Sequence, residues 1–249
     1  MDSVNKIISK FQQIELEQLS DSLAEQRFET KFFFHDENLN EVLSILQDEF
    51  SLITIHNLEK QRYHSLYLDT KDYINFQHHH NKSRPRYKVR YRTYVDSGDR
   101  FLEVKCKNNK SKTLKYRLPL VTNENENSES RNTFIKKHVP FDPELLQHGL
   151  ITEYDRYSLI SKERNARITI DTNLKVEKRN RSKTLNNLVV LEMKYNKDFN
   201  SNRWVHLLSK LNIHHENFSK YCVGLSLLNS ELKQNNFKMK LKKINDIIS

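Results

Sequence analysis

In six segments of this chain, charged residues recur at every second position with apolar or aromatic residues between them. The segments run Arg27-Phe28-Glu29-Thr30-Lys31-Phe32, Lys88-Val89-Arg90-Tyr91-Arg92, Glu103-Val104-Lys105-Cys106-Lys107, Lys115-Tyr116-Arg117, Arg167-Ile168-Thr169-Ile170-Asp171 and Glu192-Met193-Lys194. A period of two is that of a β-strand, so each segment offers one apolar face to a core and one face dense in Arg and Lys. Taken alone, any of them reads as an ordinary half-wet strand of an antiparallel sheet. Six together read differently, because like charges set opposite one another across a ladder repel. Pooled on one sheet, these faces need a neutralising ligand and make a polyanion site.

The charge balance agrees. With 42 Lys and Arg against 32 Asp and Glu, the formal net charge is +10, which favours phosphate-rich ligands or anionic surfaces. Only 3 Gly and 4 Pro occur in 249 residues, leaving little material for flexible linkers. One domain over 1–249 is expected, with an N-terminal helix (1–25), a strand-rich body (26–200) and C-terminal helices (201–249). Cys106 and Cys222 are the only cysteines, on segments of different type, which fits a reducing compartment rather than a disulfide framework. The first 20 residues lack the apolar centre of a secretory signal. No run reaches the roughly 18 apolar residues of a membrane span. A cytoplasmic location is expected, with any membrane association peripheral and through a partner protein. No pattern in the sequence sets the oligomeric state.

Along the chain, Val4, Ile7, Ile8, Phe11, Ile14 and Leu19 lie at near-helical spacing and predict a helix over 4–25. A strand over 27–34 precedes a short helix with Leu39, Val42, Leu43 and Leu46 on its apolar side. Strands follow over 53–57, 61–69, 86–95 and 100–107, with Tyr63, Ser65, Tyr67 and Asp69 sharing one face of the second. Asp96-Ser97-Gly98-Asp99 predicts a hairpin between the last two. A strand over 113–120, a polar loop over 122–132, a broken helical stretch over 131–148, and strands near 151–160, 165–171 and 187–195 bring the tally to eight or nine strands. Residues 203–211 and 217–247 read as helices.

If the sheet closes into a barrel, one face of every strand points inward. Aliphatics inside would leave the amphipathic helices nothing to cover; charges inside and helices outside satisfy both. An isolated cation in such an interior costs several kcal/mol, so the arrangement requires water, compensating carboxylates and a bound polyanion. Glu29, Glu103 and Glu192 are the carboxylates placed for this. Each stands two residues before a lysine (Lys31, Lys105, Lys194) on the same strand face, as an ion-pair partner or as an oxygen ligand for a hard divalent metal.

At this point the residues resemble a known family. Arg27-x-Glu29-x-Lys31, Tyr87-Lys88-Val89-Arg90-Tyr91-Arg92, Phe101-Leu102-Glu103-Val104-Lys105, Tyr154-x-Arg156, Leu191-Glu192-Met193-Lys194 and Phe218-Ser219-Lys220-Tyr221 look like the catalytic domain of the vacuolar transporter chaperone (VTC) polyphosphate polymerases, over about residues 25–228. That family belongs to the triphosphate tunnel metalloenzymes. The resemblance implies an α+β fold: a closed antiparallel β-barrel of about eight strands with a basic interior, flanked by helices. It implies that Lys31, Arg90, Arg92, Lys105, Arg156 and Arg167 line the tunnel as the catalytic set. Arg27, Lys88, Lys115, Arg117, Tyr154, Lys194, Ser219 and Lys220 would contact substrate, and Glu192, with Glu29 and Glu103, would hold Mn²⁺ or Mg²⁺. Related tunnel enzymes begin Glu-x-Glu-x-Lys; Arg27 in place of the first Glu removes one metal ligand and fits the polymerase branch.

The implied reaction moves the γ-phosphoryl group of ATP to a growing polyphosphate chain, so ATP and polyphosphate are the expected partners. The alternatives are a tripolyphosphatase of the same fold and a noncatalytic module binding polyphosphate or RNA. Nucleic acid is not the expected partner, because a simple basic surface has no use for carboxylates on its binding face. His78-His79-His80 is not read as a metal site, since the expected metal prefers oxygen. Cys106 is read as a core-facing strand residue.

Overall fold

The computed structural model describes residues 2–19, 28–110, 112–120 and 129–249. Arg27 and most of the predicted 122–132 loop lie outside these residues. Among the described residues there are eleven strands: β1 (Gln13–Glu15), β2 (Phe28–His35), β3 (Phe50–Thr54), β4 (Lys60–Asp69), β5 (Arg86–Tyr94), β6 (Arg100–Lys107), β7 (Thr113–Leu120), β8 (Gln147–Ser161), β9 (Ala166–Lys178), β10 (Arg181–Leu185) and β11 (Leu188–Tyr195). The helices are α1 (Asp2–Ile8), α2 (Leu39–Gln47), α3 (Ile74–His80), α4 (Glu129–His138), α5 (Ser201–Lys210), α6 (Lys220–Leu228) and α7 (Lys238–Ile248). This is an α+β fold built on one antiparallel sheet with flanking helices.

The main ladder runs β2-β11-β9-β8-β4-β5-β6-β7, with β1 and β3 attached to β8 and β10 to β9. Every pairing is antiparallel except β1 with β3. The ladder has the expected eight strands, but it is not closed: among the described residues no hydrogen bonds join β2 to β7. Two local causes are visible. The free edge of β2 is already taken, by a bridge between Phe32 and His215 and by the Glu216 N–H donating to the Lys31 carbonyl at 2.7 Å. At the other end Pro119 removes a donor from β7, as suits an edge strand. The sheet nevertheless curls until its ends face one another, since Lys105 on β6 and Lys115 on β7 feel the charges of Glu29 on β2 and Glu192 on β11.

The register keeps the described charged positions of the six alternating segments on the concave face. Glu192 faces Lys31 and Lys194 faces Glu29 across β11 and β2. Lys88 faces Lys105 and Arg90 faces Glu103 across β5 and β6, while Glu103 faces Arg117 and Lys105 faces Lys115 across β6 and β7. The alternate residues point outward and are buried by helices. Phe32, Phe34, Leu191, Met193, Ile168 and Ile170 pack with α1, α2 and α5, and Val89, Tyr91, Leu102 and Val104 pack with Ile135 of α4. Burying such side chains contributes ~1.5–3 kcal/mol each, which fixes the register and hence the concave face.

At one end the concave face itself turns apolar (Phe33, Leu150, Leu174, Val176, Val190) and is covered by α6. A bulge at Asn173, φ 52°, lets both Asp171 and Leu174 face inward although they are three residues apart. Helix α6 sits hard on the sheet: a Cβ on Gly224 would lie 2.7 Å from Val176 Cγ1 and 2.8 Å from Leu150 Cδ2.

Several expectations are corrected. The N-terminal helix stops at Ile8; Ile14 instead joins β1, where ladder bonds to β3 outweigh the helical spacing. The expected helix over 217–247 is two helices broken at 229–237. His78, His79 and His80 form the last turn of α3, in a stretch for which the sequence predicted no element. The strand near 165–171 runs on to Lys178 and pairs with β10, which the sequence reading omitted.

Candidate active site

Arg27 lies outside the described residues; the other candidate site residues lie on or beside the concave face, along a lane from a mouth near Tyr94 and Phe101 to the deep end covered by α6.

Three carboxylate-centred clusters organise the lane. In the first, Lys31 Nζ lies 2.9 Å from both Glu29 and Glu192, and Lys194 lies 2.6 Å from Glu192. Burial pushes the Lys31 ammonium down, but Glu192 and Glu29 outweigh it and raise its pKa. Burial would lift Glu192, yet Lys31 and Lys194 hold it well below the usual carboxylate range.

In the second cluster Glu103 accepts from Arg90 Nε at 2.8 Å and Nη2 at 2.6 Å, and from Arg117 at 2.8 and 3.2 Å, with Arg92 3.7 Å away. Burial pushes Glu103 up, but Arg90, Arg92 and Arg117 bring it to about 2. Lys105, its neighbour two residues on, is not its partner. Both Glu103 oxygens are held by two-pronged guanidinium contacts, whereas Glu29 and Glu192 pair with lysines alone, so Glu103 is the poorest fit to a metal of the three expected carboxylates.

The third cluster was missed in the sequence. Asp171, 2% exposed, accepts from Arg156 Nε at 2.6 Å and Nη2 at 2.8 Å and also from Lys220 Nζ. Burial works against its charge, but Arg156 and Lys220 depress its pKa. Its position at the end of the Arg167–Asp171 alternation was the available signal. Lys220 opens α6, whose N-cap Ser219 accepts from the Cys222 N–H at 3.3 Å and from Lys88 Nζ at 2.9 Å.

A tyrosine wall backs the cations. Tyr63 and Tyr154 stack at 5.1 Å, the Arg156 guanidinium lies 5.0 Å from the Tyr63 ring, and the Lys220 ammonium lies 4.3 Å from that of Tyr154. Arg92 donates to the Tyr154 hydroxyl at 3.2 Å and Arg90 to that of Tyr67 at 3.1 Å. Tyr63 and Tyr67 were expected on one face of β4 but not as part of the site. Tyr67 also stacks on Tyr221 of α6 at 5.0 Å.

The deep end is left positive. Burial lowers the pKa of Lys88, and that of Lys105 falls to about 7, through burial and the like charges of Lys88 and Lys31 against the opposing pull of Glu29. Arg167, beside Arg156, is also depressed, by burial first. His79 is held neutral there, half-buried and repelled by the charges of Lys88 and Arg86. Buried polar atoms without a hydrogen-bond partner among the described residues include Arg92 Nε, Arg167 Nε, Ser65 Oγ and Thr169 Oγ1.

Among the described residues no three His, Cys, Asp or Glu side chains gather as a metal site. Glu29 and Glu192, flanking one lysine, are a different case. Mg²⁺-type ions are commonly held by one or two carboxylates, with phosphate and water oxygens completing the shell, and this pair fits that demand. Both cysteines are buried and free, and no described helix is long and apolar enough to cross a membrane.

The fold recurs in solved structures. A protein from Bacillus halodurans described as an adenylate cyclase superposes with a TM-score of 0.52 at 11% identity, covering 78% of this chain and 94% of that one. An adenylyl cyclase from Hippeastrum, described as having a dominant triphosphatase activity, superposes at 0.50 with 15% identity, covering 81% and 96%. At such identities the likeness is one of fold. No curated protein matches the chain. The VTC domain model matches residues 26–229, a span that takes in all three carboxylate clusters and α6, and the chain belongs to the VTC domain family.

Proposed function

We propose that the chain is a metal-dependent polyphosphate polymerase that transfers the γ-phosphoryl group of ATP to a growing phosphate chain along the concave lane. The observation that carries this reading is the division of the lane. Its middle holds guanidinium groups oriented by Glu103 and Asp171, and its deep end holds cations (Lys88, Lys105) drawn below their ordinary pKa values. A bound phosphate chain supplies the missing negative charge at the deep end. Membership of the VTC domain family and the fold shared with a described triphosphatase support triphosphate chemistry in general.

Phosphoryl transfer asks a protein mainly for alignment and for charge stabilisation as negative charge moves to the leaving oxygen. Arg90, Arg92, Arg156 and Arg167 clamp equatorial phosphate oxygens, the first three with their planes held by carboxylates and by the Tyr63, Tyr67 and Tyr154 wall. Arg117 and Lys194 meet substrate near the mouth, and Lys115 faces the lane from β7. Lys31 and Lys220 sit between carboxylates and the lane, so each exchanges part of an ion pair for a phosphate contact. Glu29 and Glu192 are the residues that would hold Mn²⁺ or Mg²⁺, which when bound would supply charge neutralisation for the transferring group. Substrates are ATP and polyphosphate. In the cell we place the protein in the cytoplasm, with a membrane protein as the acceptor of the emerging chain.

The test is incubation of the purified protein with ATP and Mn²⁺, with Glu192→Ala alongside. ADP and long phosphate chains that vanish in the variant support the reading. Phosphate release from tripolyphosphate without chain growth would move the protein to the hydrolases, and chain binding without turnover would make it a scaffold.

A further inference from the structure

Asp69, the last residue of β4, is a carboxylate that the lane chemistry does not use. It is 0% exposed, and among the described residues the donors that meet it are neutral. The backbone N–H groups of Thr70 and Asn75 reach Oδ1 at 2.8 and 2.9 Å, that of Phe76 reaches Oδ2 at 3.0 Å, and the Tyr221 hydroxyl donates to the same Oδ2. Burying an acid without a counter-ion is costly and is tolerated only when its oxygens are hydrogen-bonded. Burial accordingly pushes the Asp69 pKa up, against the pull of these donors. What such a group holds in place is therefore read from its partners.

Those partners belong to two helices at the deep end. Asn75 and Phe76 lie in the first turn of α3, where backbone N–H groups have no acceptor within the helix. The N-cap residue Tyr73 makes no side-chain cap there, so Asp69 does the capping from β4. Capping accounts for the backbone donors and leaves Tyr221 unexplained. Tyr221 is the second residue of α6, 1% exposed, with its ring stacked on Tyr67 at 5.0 Å. Its neighbours in the same turn are lane residues. Lys220 reaches Asp171 and lies 4.3 Å from the Tyr154 ring, and Ser219 takes the Lys88 ammonium at 2.9 Å. A charged oxygen accepts from a phenol more strongly than a neutral one does, so the Tyr221 hydroxyl pins this turn to the end of β4.

We propose that Asp69 is a positioning residue for the lane: through the Tyr221 hydroxyl it fixes the first turn of α6, and with it the place of the Lys220 ammonium against a bound phosphate chain. The inference rests on the lane reading above and deepens it. Asp69 touches no substrate; it acts through Tyr221 on Lys220. It also explains why a carboxylate, rather than a neutral capping side chain, stands at this buried position: one charged group ties β4, α3 and α6 together where the sheet meets the helix that covers it.

Asp69→Ala would strand three buried N–H groups and unsettle the fold itself, so the test uses Tyr221→Phe, which removes one oxygen and keeps the ring on Tyr67. The Kd of tripolyphosphate in Mg²⁺ buffer is measured for the wild type, Tyr221→Phe, Lys220→Met and the double variant. The expected result is a Kd about fivefold weaker in Tyr221→Phe, the scale of one lost hydrogen bond to a charged group. Lys220→Met is expected to lose at least as much, and Tyr221→Phe added to it is expected to change Kd by less than about twofold, because residues that act through one another are not additive. An unchanged Kd in Tyr221→Phe, or the same loss with and without Lys220, overturns the positioning role and leaves the lane intact. Failure of the wild type to bind tripolyphosphate overturns the lane and the positioning role together.

Discussion

Asp171 on β9 holds Arg156, its cross-strand partner on β8, by two hydrogen bonds of 2.6 and 2.8 Å, and the same carboxylate takes Lys220 from α6. One buried acid thus ties the sheet to the helix that covers its deep end. Removing one partner of a buried pair leaves an uncompensated charge, a loss of about 3–5 kcal/mol. Asp171→Ala is expected to fall in that range by urea unfolding. A loss under about 1 kcal/mol would show that solvent reaches Arg156 freely.

Lys105, with a folded pKa of about 7 against an ordinary 10.5, makes binding and stability depend on pH. Between those values the unfolded chain carries a proton that the folded protein lacks, so stability rises with pH across this window and the cost of the buried charge is complete below about 7. Lys105→Met is expected to raise the Tm most below pH 7. A polyphosphate favours the charged form, so binding at pH 8 takes up a proton. Calorimetry in buffers of different ionisation enthalpy measures that uptake, which Lys105→Met should abolish; no uptake in the wild type contradicts the assignment.

Glu192 and Glu103 are predicted to separate by function. Mn²⁺ titration of the protein alone is expected to show at least tenfold weaker binding in Glu192→Gln and little change in Glu103→Gln. Glu103 contributes instead to acid stability: with its pKa lowered to about 2 from 4.5, its contribution is present above 4.5 and lost as pH falls toward 2. Glu103→Gln should flatten the acid limb of the unfolding profile. Equal metal loss in both variants would reinstate Glu103 as a ligand.

Gly224 is predicted to admit no side chain. Gly224→Val drives carbon into Val176 and Leu150 at under 3 Å, an overpacking that typically costs ~1–3 kcal/mol. It should also lower affinity for tripolyphosphate by shifting Lys220 and Ser219. Unchanged stability and affinity would mean that α6 is not seated as described.

Much of this was legible in the sequence because it rests on period two. The shared face of Glu29 with Lys31, of Arg90 with Arg92 and of Glu192 with Lys194 follows once strands alternate, and the helix over Leu39, Val42, Leu43 and Leu46 follows from its apolar stripe. What escaped rests on long-range pairing. Gln13-Ile14-Glu15 becomes a strand only because Leu52-Ile53-Thr54 lies beside it. Helix α3 starts from Tyr73 in a left-handed conformation, φ 57°, without a glycine or proline to mark it. The open seam depends on His215 and Glu216 reaching β2, some 180 residues along the chain. Glu103 was linked to the wrong cation because the i+2 neighbour, Lys105, shares its strand face, whereas the real partners stand opposite on β5 and β7.

The central claim is tested most directly by following label from ATP. With γ-labelled ATP and Mn²⁺, the account predicts radioactivity in long phosphate chains, none when the label is at the α position, and none with Glu192→Ala. Label from γ-labelled ATP that appears only as free phosphate, or stays in ATP while chains bind, would contradict it.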